Sequence, residues 1–85
     1  MADFGKIQLP SLEGDYDVLD VRKQLGNALY YRSQDLAGSE LGKTIYHSDG
    51  DIELNDNEVR LVKDMVKEIF SGYVVQKAVL DSLEK

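Results

Sequence analysis

Leu54-Asn55-Asp56-Asn57-Glu58-Val59 opens the stretch that decides the fold, which continues through Val62, Met65, Val66, Ile69 and Phe70. Asn55 offers a side-chain oxygen to the free N–H groups of a first helical turn. Glu58, three residues on, can reach back to the Asn55 N–H, so the four residues read as a variant capping box. Leu54 before the cap and Val59 after it are spaced as a hydrophobic staple. Asp56 and Glu58 lie where the helix dipole favours negative charge. Val59, Val62, Val66, Ile69 and Phe70 then share one helical face, with Met65 alongside. Arg60, Lys63 and Lys67 interleave with Asp64 and Glu68 on the other face, the pattern of a solvated surface with i,i+4 pairs and a poor footprint for nucleic acid. The helix is predicted to end at Ser71-Gly72, with Gly72 in the left-handed conformation that closes many helices. A last helix over 73–83 presents Val75, Ala78, Val79 and Leu83.

Upstream, a first helix is predicted from Asp20, as N-cap, to about Ser33, with Val21, Leu25, Ala28 and Leu29 on one face. Gly26 in its interior costs about 1 kcal/mol of helix propensity; close approach by another backbone is the reason expected for it. A shorter helix follows over 35–47, with Leu36, Leu41, Ile45 and Tyr46 able to share an inner face. Gly38 and Gly42 weaken it, and Ser39 could cap a second half if it splits. Ser48-Asp49-Gly50-Asp51 is a turn, and Ile52 and Leu54 suit an extended piece that could pair with the N-terminal arm. Before residue 20 the pattern is not helical. Lys6-Ile7-Gln8-Leu9-Pro10 and Tyr16-Asp17-Val18 alternate around Glu13-Gly14-Asp15, which is turn chemistry. The expected fold is mainly α: a compact bundle of three to four short helices with a short N-terminal β-hairpin or extended arm. It forms one domain over residues 1–85, with an arm over 1–19 and a helical core over 20–85.

Eighty-five residues bury only about 60–65% of the surface their unfolded chain exposes, so the core is thin. With no cysteine and one histidine, His47, neither disulfides nor a structural zinc site is expected. Self-association is the staple that remains, and a homo-oligomer is expected. No cofactor is implied. The start of the chain, Met1 to Lys6, has neither the basic region nor the apolar run of a signal peptide. No stretch has the length of a membrane span. The expectation is a soluble, cytoplasmic protein with no membrane role. The net charge of −6 argues against direct nucleic-acid binding, which relies on neutralising phosphates. It suits a basic protein partner or plain solubility.

Several motifs approach a chemistry and fall short. Gly38 to Thr44 resembles a phosphate-binding loop, but only three residues separate Gly38 from Gly42, and no buried strand precedes them. Asp49, Asp51, Glu53, Asp56 and Glu58 form an acidic run. An EF-hand loop starting at Asp49 would need Gly where Leu54 stands and Glu where Arg60 stands. The run reads instead as solvated turn and capping acids, or as a patch for a basic partner. Ser33, Ser39 and Ser48 lack the setting of a nucleophile beside His47. Tyr30 and Tyr31 are adjacent on a helix, point about 100° apart, and cannot both enter one core. One of them is expected at an edge, open to a partner or packed beneath the arm.

Leu25-Gly26-Asn27-Ala28-Leu29, Glu40-Leu41-Gly42-Lys43-Thr44-Ile45-Tyr46, the acidic Asp51-Ile52-Glu53-Leu54, the capped helix and Lys77-Ala78-Val79-Leu80 follow one another in an order similar to that of small acidic proteins encoded by tailed phages and prophages. The likeness spans about residues 19–83. It implies a phage or mobile-element accessory protein acting inside a bacterium. That group has no assigned activity, so no functional residue carries over. Three functions are therefore expected to compete, none of them enzymatic. The first is a protein-binding module, for example an inhibitor of a host enzyme or host defence complex, using Tyr30, Tyr31, Asp49, Asp51 and Glu53. The second is an oligomeric sponge for a nucleotide immune signal, using Arg22, Lys23, Arg32 and Lys43. The third is a virion or assembly component.

Overall fold

The computed structural model describes residues 2–83; Met1, Glu84 and Lys85 lie outside the described residues. It is a mainly α bundle of four short helices with an N-terminal β-hairpin. In chain order come β1 (Ile7–Pro10), β2 (Tyr16–Leu19), α1 (Arg22–Arg32), α2 (Leu36–Tyr46), α3 (Asp56–Ile69) and α4 (Tyr73–Ser82). Among the described residues, no helix is long and apolar enough to cross a membrane.

β1 and β2 pair antiparallel, Ile7 opposite Leu19 and Pro10 opposite Tyr16. The turn between them closes through the Ser11 N–H, which donates to the Asp15 carbonyl at 2.8 Å. Gly14, at φ 93°, takes the left-handed conformation that other residues adopt at a cost. The arm before β1 and the first residue of β1 belong to the core: Ala2, Phe4 and Ile7 are buried with Val21, Leu25, Leu29, Ile45, Val62, Val66 and Val79. Ala2 and Ile52 exchange both backbone hydrogen bonds, at 3.0 and 2.9 Å, so the extended piece after the 48–51 turn does meet the N-terminal arm.

The cap of α3 has the geometry read from its residues. The Glu58 N–H donates to Asn55 Oδ1 at 2.8 Å, and the Asn55 N–H donates to Glu58 Oε1 at 3.0 Å. Val62, Met65 and Val66 are buried, while Ile69 and Phe70 pack at the core's margin.

Three local expectations need correction. Val21, not Asp20, is the N-cap of α1. Asp20 Oδ1 accepts instead from the Arg22 N–H at 3.0 Å, and Val21 is held by its N–H donating to the Phe4 carbonyl at 2.8 Å. Gly72 is not left-handed; at φ −82° and ψ 132° it caps the start of α4. Phe70 ends α3 in an extended conformation that carries the chain away from the helix axis, and the Gln76 side chain donates to the Phe70 carbonyl. Finally, α2 is unbroken, capped by Asp35 through the Gly38 N–H at 2.9 Å. Its inner face is Gly38, Leu41, Gly42 and Ile45. Leu36, five residues before Leu41, points about 140° away and is 75% exposed.

The two glycines that weaken these helices explain their packing. A Cβ on Gly26 would lie 2.9 Å from the Gly42 carbonyl oxygen and 2.8 Å from Tyr46 Cβ. One on Gly42 would lie 2.6 Å from both the Gly26 carbonyl oxygen and the Tyr30 nitrogen. Backbone touches backbone where α1 crosses α2, and only glycine at both positions permits it.

Candidate interaction site

The close crossing has an outer side. Where Gly26 and Gly42 bring the backbones together, the flanking side chains are large, and they stand up around a shallow groove of about 370 Å³. Gly26 and Gly42 form its floor, and Tyr30, Tyr31, Lys43, Tyr46 and His47 line its walls. Tyr30 and Tyr31 meet edge to face, ring centroids 4.9 Å apart and planes at 89°. Tyr46 meets His47 in the same way at 5.0 Å. The Lys43 ammonium lies 5.7 Å from the centre of the Tyr30 ring and 3.5 Å from Glu40 Oε1. Ser39 Oγ donates to the Tyr30 carbonyl at 3.3 Å, tying α2 to the base of this wall. Neither Tyr30 nor Tyr31 is buried: they are 41% and 78% exposed, so both, not one, lie open. Rings held by their neighbours lose little freedom when a partner covers them, which is why tyrosine serves well at contact surfaces.

Tyr46 belongs to this wall, although its place in the sequence pattern put it on the inner face of α2. A reading of the sequence misses it because helical period alone does not show that Gly42 draws α1 so close. The signal was the pairing of Gly26 with Gly42, which makes residues one turn away on both helices neighbours across the crossing.

The other candidate residues do not converge there. Arg22 sits at the opposite end of α1 from Arg32, about 15 Å along the axis. Its guanidinium grips Asp20 through Nε and Nη2 at 3.0 and 2.8 Å, and Nη1 donates to the Ser48 carbonyl at 2.7 Å. That grip, together with the Arg22 N–H, holds the Asp20 carboxyl at about 2 against an ordinary 3.8. Asp20 in turn pushes the Arg22 pKa up, with smaller contributions from Asp49 and Asp3. Arg22 is therefore a clamp between the start of α1 and the end of α2. Lys23 is exposed in the next position. Arg32 lines a second groove beside Tyr31, Ile69 and Phe70. Of the four cations, only Lys43 stands in the tyrosine groove.

The acidic run divides in the same way. Glu58 is engaged in the capping box, and Asp56 occupies the first turn of α3. Asp49, Asp51 and Glu53 are exposed in the loop before it. Among the described residues, no three Asp, Glu or His side chains come together so as to hold a metal ion. The candidate serines have other engagements. Ser48 Oγ donates to the Ile45 carbonyl at 2.7 Å, and Ser33 packs against the α2 backbone at Gly38.

No protein-family model, no curated protein and no solved structure matches the chain.

Proposed function

We propose that the chain is a non-enzymatic binding protein whose contact surface is the outer side of the α1–α2 crossing. The observation that carries this reading is the gathering of Tyr30, Tyr31 and Tyr46, all partly or largely exposed, around a floor made by two glycines. Exposed aromatic clusters with a polar rim are the usual anchors of protein contacts. The partner is a protein of a bacterial host, and the setting is that of a phage or mobile-element accessory protein acting in the cytoplasm. This context rests on the order of motifs over residues 19–83. The nucleotide-sponge reading has less support, because Arg22 and Asp20 occupy one another, and Arg22 and Arg32 stand at opposite ends of α1.

The test is quantitative capture from a bacterial lysate. The chain should retain a defined protein in near-equal amount. Tyr31→Ala and Tyr46→Ala should each lower that yield severalfold, while Leu12→Ala, at the hairpin tip, should not. Retention that no tyrosine variant alters would defeat the proposal.

A further inference from the structure

The hairpin has one protected edge and one open edge. Among the described residues, α4 lies against β1, whereas β2 neighbours β1 and no helix. The hydrogen bond from the Ser11 N–H to the Asp15 carbonyl continues the β1–β2 register by one more opposed pair. In an antiparallel ladder, bonded and non-bonded pairs alternate. Leu9 with Asp17 and Ile7 with Leu19 are thus the bonded pairs, and Gln8 with Val18 and Pro10 with Tyr16 are not. Pro10, which has no N–H, fits a non-bonded position. The N–H and C=O groups of Tyr16 and Val18 consequently point away from β1, along the open edge. Their side chains stand on the outer face, each 67% exposed.

From these observations we infer that β2 accepts an extended, basic segment of another protein as a third strand. The backbone groups of Tyr16 and Val18 supply the ladder, as in strand addition to other open sheets. Charge selects the occupant. From Leu12 to Val21 the chain carries Glu13, Asp15, Asp17 and Asp20 and no cation. Asp15 and Asp17 alternate with Tyr16 and Val18, so they flank the strand on the other face. A complementary segment alternates in turn, apolar opposite Tyr16 and Val18, Lys or Arg opposite Asp15 and Asp17. A second copy of β2 would instead bring its own carboxylates against these, and like charges directly opposed disfavour pairing. This site is separate from the tyrosine groove and does not depend on it.

The probe is the peptide acetyl-Lys-Val-Lys-Val-Lys-amide, titrated to about 1 mM into the nitrogen-labelled chain and followed by amide resonances. The Tyr16 and Val18 amides should move most, and their hydrogen exchange should slow. The glutamate version of the peptide, and a version N-methylated at alternate residues, should leave them in place. Val18→Pro removes an outward donor without touching the β1 ladder; its melting curve should match the parent while the Tyr16 response disappears. Asp17→Lys should weaken the lysine peptide by about two- to fivefold. An equal response to the glutamate peptide would overturn the inference, as would silent Tyr16 and Val18 amides. Shifts at these amides that depend on protein concentration alone would place a second copy on the edge and overturn it as well.

Discussion

A methyl group at position 42 has nowhere to go. Its nearest neighbours are the Gly26 carbonyl oxygen and the Tyr30 nitrogen, both at 2.6 Å, and backbone does not step aside as a flexible side chain would. Gly42→Ala therefore improves helix propensity by about 1 kcal/mol yet forces two helices apart. The expected net loss is about 2 kcal/mol of stability, measured by urea denaturation, together with weaker capture by the displaced tyrosines. Asp20 makes a different kind of prediction. Its carboxyl sits at about 2 when folded and at 3.8 in the free side chain. The unfolded chain therefore binds the proton more readily. The stabilising contribution is complete above about pH 4 and is lost as pH falls through about 2. Asp20→Asn should lower the melting temperature at pH 6, and the difference from the parent should shrink as pH falls towards 2. A constant difference across that range would show that folding does not lower the Asp20 pKa.

Among the elements, α3 was the most legible, because everything it needs is local. Its cap, dipole charges and apolar stripe all lie between Leu54 and Phe70. Asn55→Ala should cost about 1 kcal/mol, read by urea denaturation, with the loss of helicity concentrated in the first turn of α3. The hairpin was legible from alternation and the turn at Gly14. α2 is the single helix expected, and the alternative split at Gly38 and Ser39 does not occur. The propensity of Gly38 and Gly42 is outweighed by what they permit, contact with Ser33 at one and with α1 at the other. The Gly72 expectation failed because the chain already turns extended at Phe70, two residues earlier, and Gly72 serves the start of α4 instead. The candidate site was legible only in its parts. Tyr30 and Tyr31 could be singled out as a pair too large for one core, but Tyr46 joins them through the α1–α2 crossing, which no single helix encodes. The four cations looked alike in sequence, and only the folded chain separates Arg22 the clamp from Lys43 on the groove wall.

At the scale of the whole molecule, the four helices do not close the core by themselves. Phe4 is fully buried, and its carbonyl holds the start of α1 through Val21. A domain of this length has about 4–13 kcal/mol of stability in total, and Phe4→Ala should remove about 3–5 kcal/mol of it. Thermal melting should show that variant largely unfolded at 37 °C or close to it. The proposed contact surface lies on the exterior of the α1–α2 crossing, and the chain's five tyrosines provide an internal comparison. Tyr30, Tyr31 and Tyr46 line the groove, Tyr16 lies on the hairpin and Tyr73 begins α4. The most direct measurement is the ring spectrum of carbon-labelled tyrosines in bacterial extract cleared of nucleic acid. Broadening of Tyr30, Tyr31 and Tyr46 with Tyr73 left sharp is the predicted result; broadening at Tyr73 alone, or at all five equally, would contradict the account.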